Sequence, residues 1–234
     1  MVEMMSTTTD PATRAGSANI RGMASPWILG LYGLAGATFI VFAHMAGWFG
    51  GPQSASFLFP LAAILGGLVP LLAAMWAYAA RDGLATAMLG TWGAFWIGYG
   101  LLNSIPATEQ LLERQGARPE LAYWFIPLAA ITWTGAAAAT RVSRALVTVL
   151  TVLSTAATLT AIGEGLGLHG ITVLAAWVFI VAAICAWYTS TAIMLGESFA
   201  SEVLPLGLFR EDMSGRTTGQ PDIRHPAPTS HRAA

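Results

Sequence analysis

His44 is the one imidazole in the first long apolar stretch, Ser25 to Gly50. Imidazole titrates near neutral pH, so it can relay a proton or donate a hydrogen bond. Glu164 interrupts a later apolar stretch, and acids embedded in such stretches often mark ion paths. The competing reading is an exposed carboxylate at a helix end. Thr148, Thr151, Thr155 and Thr158 recur at helical offsets, so they share one face. Their hydroxyls either hold a small anion or bond back to their own helix. Trp92, Trp96 and Tyr99 form an aromatic stripe that serves packing or lines a path. Glu197 reads as a solvated helix end. Cys185 is the only cysteine, so no disulfide or thiolate cluster is available within the chain; packing is its simplest role. Polar residues are too sparse for a metal cluster, and no nucleophile has a base at motif spacing. An enzyme is the least supported class, and no cofactor is expected.

These residues need elements to position them, and composition says which. Of 234 residues, 55% are hydrophobic and 10% are charged, whereas soluble domains carry about 25% charged residues. So much apolar surface calls for a lipid bilayer as solvent. All eleven basic residues are Arg, and the net charge of -1 gives no basic stripe for nucleic acid.

Between Arg21 and Arg81 there is no Asp, Glu, Lys or Arg. That is too long for one crossing, and Gly50-Gly51-Pro52 marks a turn within it. The pattern predicts an all-α integral membrane protein with six transmembrane helices. They lie near 27–49, 57–80, 84–102, 121–140, 145–164 and 170–196. A signal peptide is the rival for the first, but its apolar core runs only about 7–15 residues. Residues 103–120 form the one sizeable loop, with a short surface helix expected at 107–116. The organisation is a polar tail over 1–24, a membrane domain over 25–209 and a second tail over 210–234.

Six crossings put both termini on one side. Nine arginines fall on that side and two, Arg114 and Arg118, on the other. The positive-inside rule makes both termini cytoplasmic and the protein multi-pass in an inner or plasma membrane. Trp27, Trp48, Tyr78, Tyr123 and Trp124 fall at expected span ends, where interfacial aromatics gather. Gly30, Gly33 and Gly36 leave a smooth strip for another helix to approach. Gly66-Gly67, Gly93 and Gly100 extend the theme.

Five blocks in order resemble the acetate uptake transporter family of bacteria and fungi. They are Ser25-Pro26-Trp27-Ile28-Leu29-Gly30-Leu31, then His44, then Trp92-Gly93-Ala94-Phe95-Trp96. Ala161-Ile162-Gly163 follows, and last Glu197 with Val203-Leu204-Pro205-Leu206-Gly207. The resemblance implies a homohexamer with a narrow path through each protomer. It implies a hydrophobic constriction at Leu34, Trp92 and Leu153, where family members carry Phe, Tyr and Leu. The opening block differs at Ser25 and Ile28, and the family's Asn-Thr-Phe-Gly after helix two reads Asp82-Gly83-Leu84-Ala85.

Under that resemblance, substrate contact is expected at Ser25, Gly30, Leu31, His44, Thr155 and Glu164. The implied function is transport of acetate or another small monocarboxylate. A proton would travel with it, because an unpaired charge in a low-dielectric interior is costly. Two alternatives stay open: an ammonium or ammonia transporter of the same fold, and a membrane sensor or structural oligomer that transports nothing.

Overall fold

Prolines set where the helices begin and where they bend. In the computed structural model, which describes residues 24–51, 53–104 and 119–208, Pro26 opens α1 (Pro26–Met45). Pro119 opens α4 (Pro119–Ala139). A missing N–H costs nothing in a first turn. In α2 (Ser54–Ala79), by contrast, Pro60 and Pro70 flank an interior stretch, Ala63–Leu68, that widens into a π-helical turn. Proline removes a ladder hydrogen bond and crowds the preceding turn, and the widened turn accommodates both effects.

Side-chain caps start the next elements. Asp82 Oδ1 accepts the Ala85 N–H at 2.9 Å and begins α3 (Gly83–Asn103). Ser143 Oγ accepts the Leu146 N–H at 3.2 Å and begins α5 (Arg144–Leu166). Two more orphan donors of α5 are satisfied from far along the chain. The Arg144 and Ala145 N–H groups donate to the Gly207 and Leu206 carbonyls at 3.0 and 3.1 Å. The Val203–Gly207 motif thus serves as a strap across the start of α5. Tyr188, on α6 (His169–Phe199), holds the strap by donating to the Pro205 carbonyl at 2.9 Å.

The glycine strip behaves as its spacing predicts. A Cβ on Gly33 would meet the Leu65 carbonyl oxygen at 2.5 Å, and one on Gly36 would meet the Leu65 side chain. Gly30 instead receives the Leu89 side chain of α3. The π turn of α2 therefore lies directly on α1. On its other side, Gly67 and Gly93 bring the backbones of α2 and α3 together. Cross-helix pairs fix direction: Trp27 meets Asp82, Gly30 meets Leu89, and Phe42 meets Trp96. Both helices advance together, so α1 and α3 run parallel at matched heights.

Observed helix limits lie within a few residues of those expected. The largest shift is the end of α1, at Met45 rather than near 49. Among the described residues, five helices are long and apolar enough to cross a membrane: α1, α2, α4, α5 and α6. Helix α3 has 21 residues and no charge, but its Gly, Thr, Trp and Tyr lower its hydropathy. Its buried face is broad and packs against protein. Elsewhere large apolar side chains face outward, among them Phe57, Leu61, Ile184 and Trp187. Water would not tolerate that belt, whereas lipid requires it. Trp48, Tyr78, Tyr123 and Trp124 are exposed near span ends. Trp27 is not: it is buried, and its indole N–H donates to Asp82 Oδ2 at 2.9 Å. The expected loop helix and both tails lie outside the described residues.

Candidate functional site

Leu34 on α1, Trp92 on α3 and Leu153 on α5 all belong to one buried cluster. None exposes more than 4% of its surface. Helix geometry explains this: each lies on the face its helix turns inward, with Leu31, Leu89 and Leu150 beside them one turn away.

Trp92 is held in place. Its Nε1–H donates to Thr132 Oγ1 on α4 at 3.0 Å, and Thr132 in turn donates to the Leu128 carbonyl at 2.6 Å. The ring meets Phe95 and Phe179 edge-on at 5.5 and 6.2 Å. Phe179 stacks on Phe42 at 3.8 Å, and Phe42 meets Trp96 edge-on. Phe95 stacks on Tyr99 and meets Phe125. The aromatic stripe read from the sequence is therefore one wall of a larger buried box of rings.

Two grooves are described, and neither is lined by Leu34, Trp92 or Leu153. One, of about 450 Å³, lies between α3 and α4 beside Thr91, Trp124 and Pro127. The other, of about 360 Å³, lies at the turn around Gly51 and Phe57.

The other expected contact residues are scattered. Gly30 and Leu31 are buried, and Gly30 packs on Leu89 of α3. Ser25 is half-buried, and its backbone N–H donates to Glu197 Oε1 at 3.1 Å. That bond ties the start of α1 to the end of α6 and gives Glu197 a structural partner. His44 is half-exposed, with Nδ1 3.0 Å from the Phe49 carbonyl oxygen. It staples the turn after α1, and Gly50, at φ 135°, lies against its ring.

The threonine face does not join Leu153. Thr155 is two residues on, about 200° around the helix. It is half-buried, and its hydroxyl donates to the Thr151 carbonyl at 2.8 Å. Thr148 and Thr158 also bond back to their own helix. Glu164 does share the buried face with Leu153. It is 4% exposed, so the exposed-carboxylate reading is overturned.

Residues that sequence reasoning passed over include Thr132, which orients Trp92, and Phe42 and Phe179, which complete the ring box. Their only signal was a lone hydroxyl or ring within an apolar run.

The sequence profile of the family described as GPR1/FUN34/yaaH matches residues 7–207. The solved structure of the bacterial acetate channel SatP is similar in fold, with a TM-score of 0.69 at 22% identity. The match covers 80% of this chain and 100% of that one. Among curated proteins, no sequence matches.

Proposed function

The chain belongs to the GPR1/FUN34/yaaH family, and on that premise we propose that it carries acetate or another small monocarboxylate across a membrane, through the interior of each subunit. The observation that supports this most is the burial of Leu34, Trp92 and Leu153 in one cluster, which we read as a single apolar layer, within a bundle of lipid-facing helices. SatP, whose fold this chain shares, is an acetate channel.

In this reading α3 is the sixth span, both termini are cytoplasmic, the membrane is the inner or plasma membrane, and the assembly is a homohexamer. The layer opens by rotation of its side chains, so cargo crosses it without its water. No Arg or Lys side chain is buried among the described residues to pair with an anion. A naked carboxylate would therefore meet a steep desolvation cost. Travel as the neutral acid, or with a coupled proton, removes it.

The test is uptake of labelled acetate into proteoliposomes, with labelled methylammonium as the second arm. Saturable acetate uptake supports the proposal. Methylammonium uptake with no acetate uptake would move the cargo to the ammonium class, whose cation the ring box could face. Transport of neither solute would favour a non-transporting oligomer.

A further inference from the structure

Helix α2 is two rods joined by a wide turn. In the second rod, Val69–Ala79, Pro70 is buried and Ala73, Ala74 and Ala77 expose none of their surface, so this rod is sunk into the bundle. In the first, Ser54–Ala62, Phe59 and Ala62 are the buried residues, while Phe57 and Leu61 face outward. Between them lies the π turn, Ala63–Leu68.

The turn is incompletely bonded. The Val69 N–H reaches five residues back to the Ile64 carbonyl, and Pro70 has no N–H to give. Neither helical donor therefore serves the Leu65 carbonyl. Pro60 likewise withholds an N–H from the Ser56 carbonyl in the first rod. Gly66 and Gly67 lie within the turn, and glycine backbone is the least restricted of all. Helices bend sharply at π turns and prolines, and π turns often mark functional sites.

The first rod rests on α3 through few interlocking side chains. Phe59 meets Tyr99 edge-on at 5.6 Å. Its carbonyl oxygen and the Ala63 side chain close on Gly100, where an added Cβ would lie 2.6 Å from each. Tyr99 stacks on Phe95, so Phe59 is the outermost ring of the buried box on this side. Gly100 presents no side chain for the rod to climb over.

We infer that Ser54–Ala62 is a hinged flap, which pivots at Ala63–Leu68 and lifts Phe59 off Tyr99 to open the ring box at the end remote from the start of α1. The second rod stays fixed and serves as the hinge post. This rests on the transport reading above, in which the flap admits cargo from the side opposite the termini.

The test ties the flap to α3. Phe59→Cys and Tyr99→Cys are combined in a Cys185→Ala background, reconstituted in proteoliposomes and joined with a short bifunctional thiosulfonate. Uptake of labelled acetate should fall about tenfold on cross-linking and return on reduction. Uptake that cross-linking leaves unchanged overturns the flap and keeps the transport reading. A wild type that moves no acetate overturns both. If the unlinked double variant fails to fold or to transport, hydrogen exchange of wild type in nanodiscs decides. Amides of residues 57–69 should then exchange about tenfold faster than those of residues 72–79. Equal protection of the two stretches overturns the flap.

Discussion

The indole N–H of Trp92 donates to Thr132 Oγ1 across the α3–α4 contact at 3.0 Å, with both side chains almost wholly buried. One hydrogen bond thus ties Trp92, the bulkiest member of the proposed layer, to α4. Replacing Thr132 by Val keeps the shape and removes the acceptor. The unpaired indole should then cost about 1–3 kcal/mol. We expect a lower melting temperature in detergent and faster entry of acids larger than acetate. Unchanged stability would mean the bond does not hold the ring.

Size selection should follow the smaller members of the layer. Leu34→Ala and Leu153→Ala each remove three carbons from the buried cluster that also holds Trp92. Uptake of propionate and butyrate relative to acetate should rise several-fold in either variant. A ratio equal to wild type, measured with labelled acids, would place the selective step elsewhere.

Glycines at helix crossings should be far less tolerant than glycines facing lipid. A Cβ on Gly93 would lie 2.9 Å from both the Gly67 carbonyl oxygen and the Leu71 nitrogen. Backbone cannot yield as a side chain tip can. Gly98 has nothing within 4 Å of such a Cβ. Gly93→Ala should therefore lose most folded protein on size-exclusion chromatography. Gly98→Ala should match wild type or gain slightly, since Ala favours helix by about 1 kcal/mol over Gly. Equal behaviour of the two would contradict the packing described.

His44 should be dispensable for transport. Its Nδ1 engages the Phe49 carbonyl oxygen within the turn it closes. His44→Asn should keep acetate uptake within about twofold of wild type, with the same dependence on pH, and unfold at a lower temperature. Loss of uptake in a folded variant would restore the proton-relay role.

Much of this was legible in the sequence. Absence of charge between Arg21 and Arg81 located the first two helices, and Gly30, Gly33 and Gly36 announced a crossing before its partner was known. Inward faces of Leu34, Trp92 and Leu153 came from a resemblance, and burial agrees with that placement. Thr155 was misplaced because four threonines at helical spacing define a face without saying where it points. Only the angle from Leu153, about 200°, sets it aside. The strap at Leu206 and Gly207 was visible as a motif, but its work is tertiary: it caps a helix that begins some sixty residues earlier.

The central claim is that a small acid crosses through the subunit interior, past Leu34, Trp92 and Leu153. Initial-rate uptake of labelled acetate into proteoliposomes, with and without an inward proton gradient, tests it most directly. The account predicts saturable uptake above that of empty vesicles, faster when the outside is more acidic, with size selectivity relaxed by Leu153→Ala. Uptake no faster than in empty vesicles, for protein shown to be folded and inserted, would contradict it.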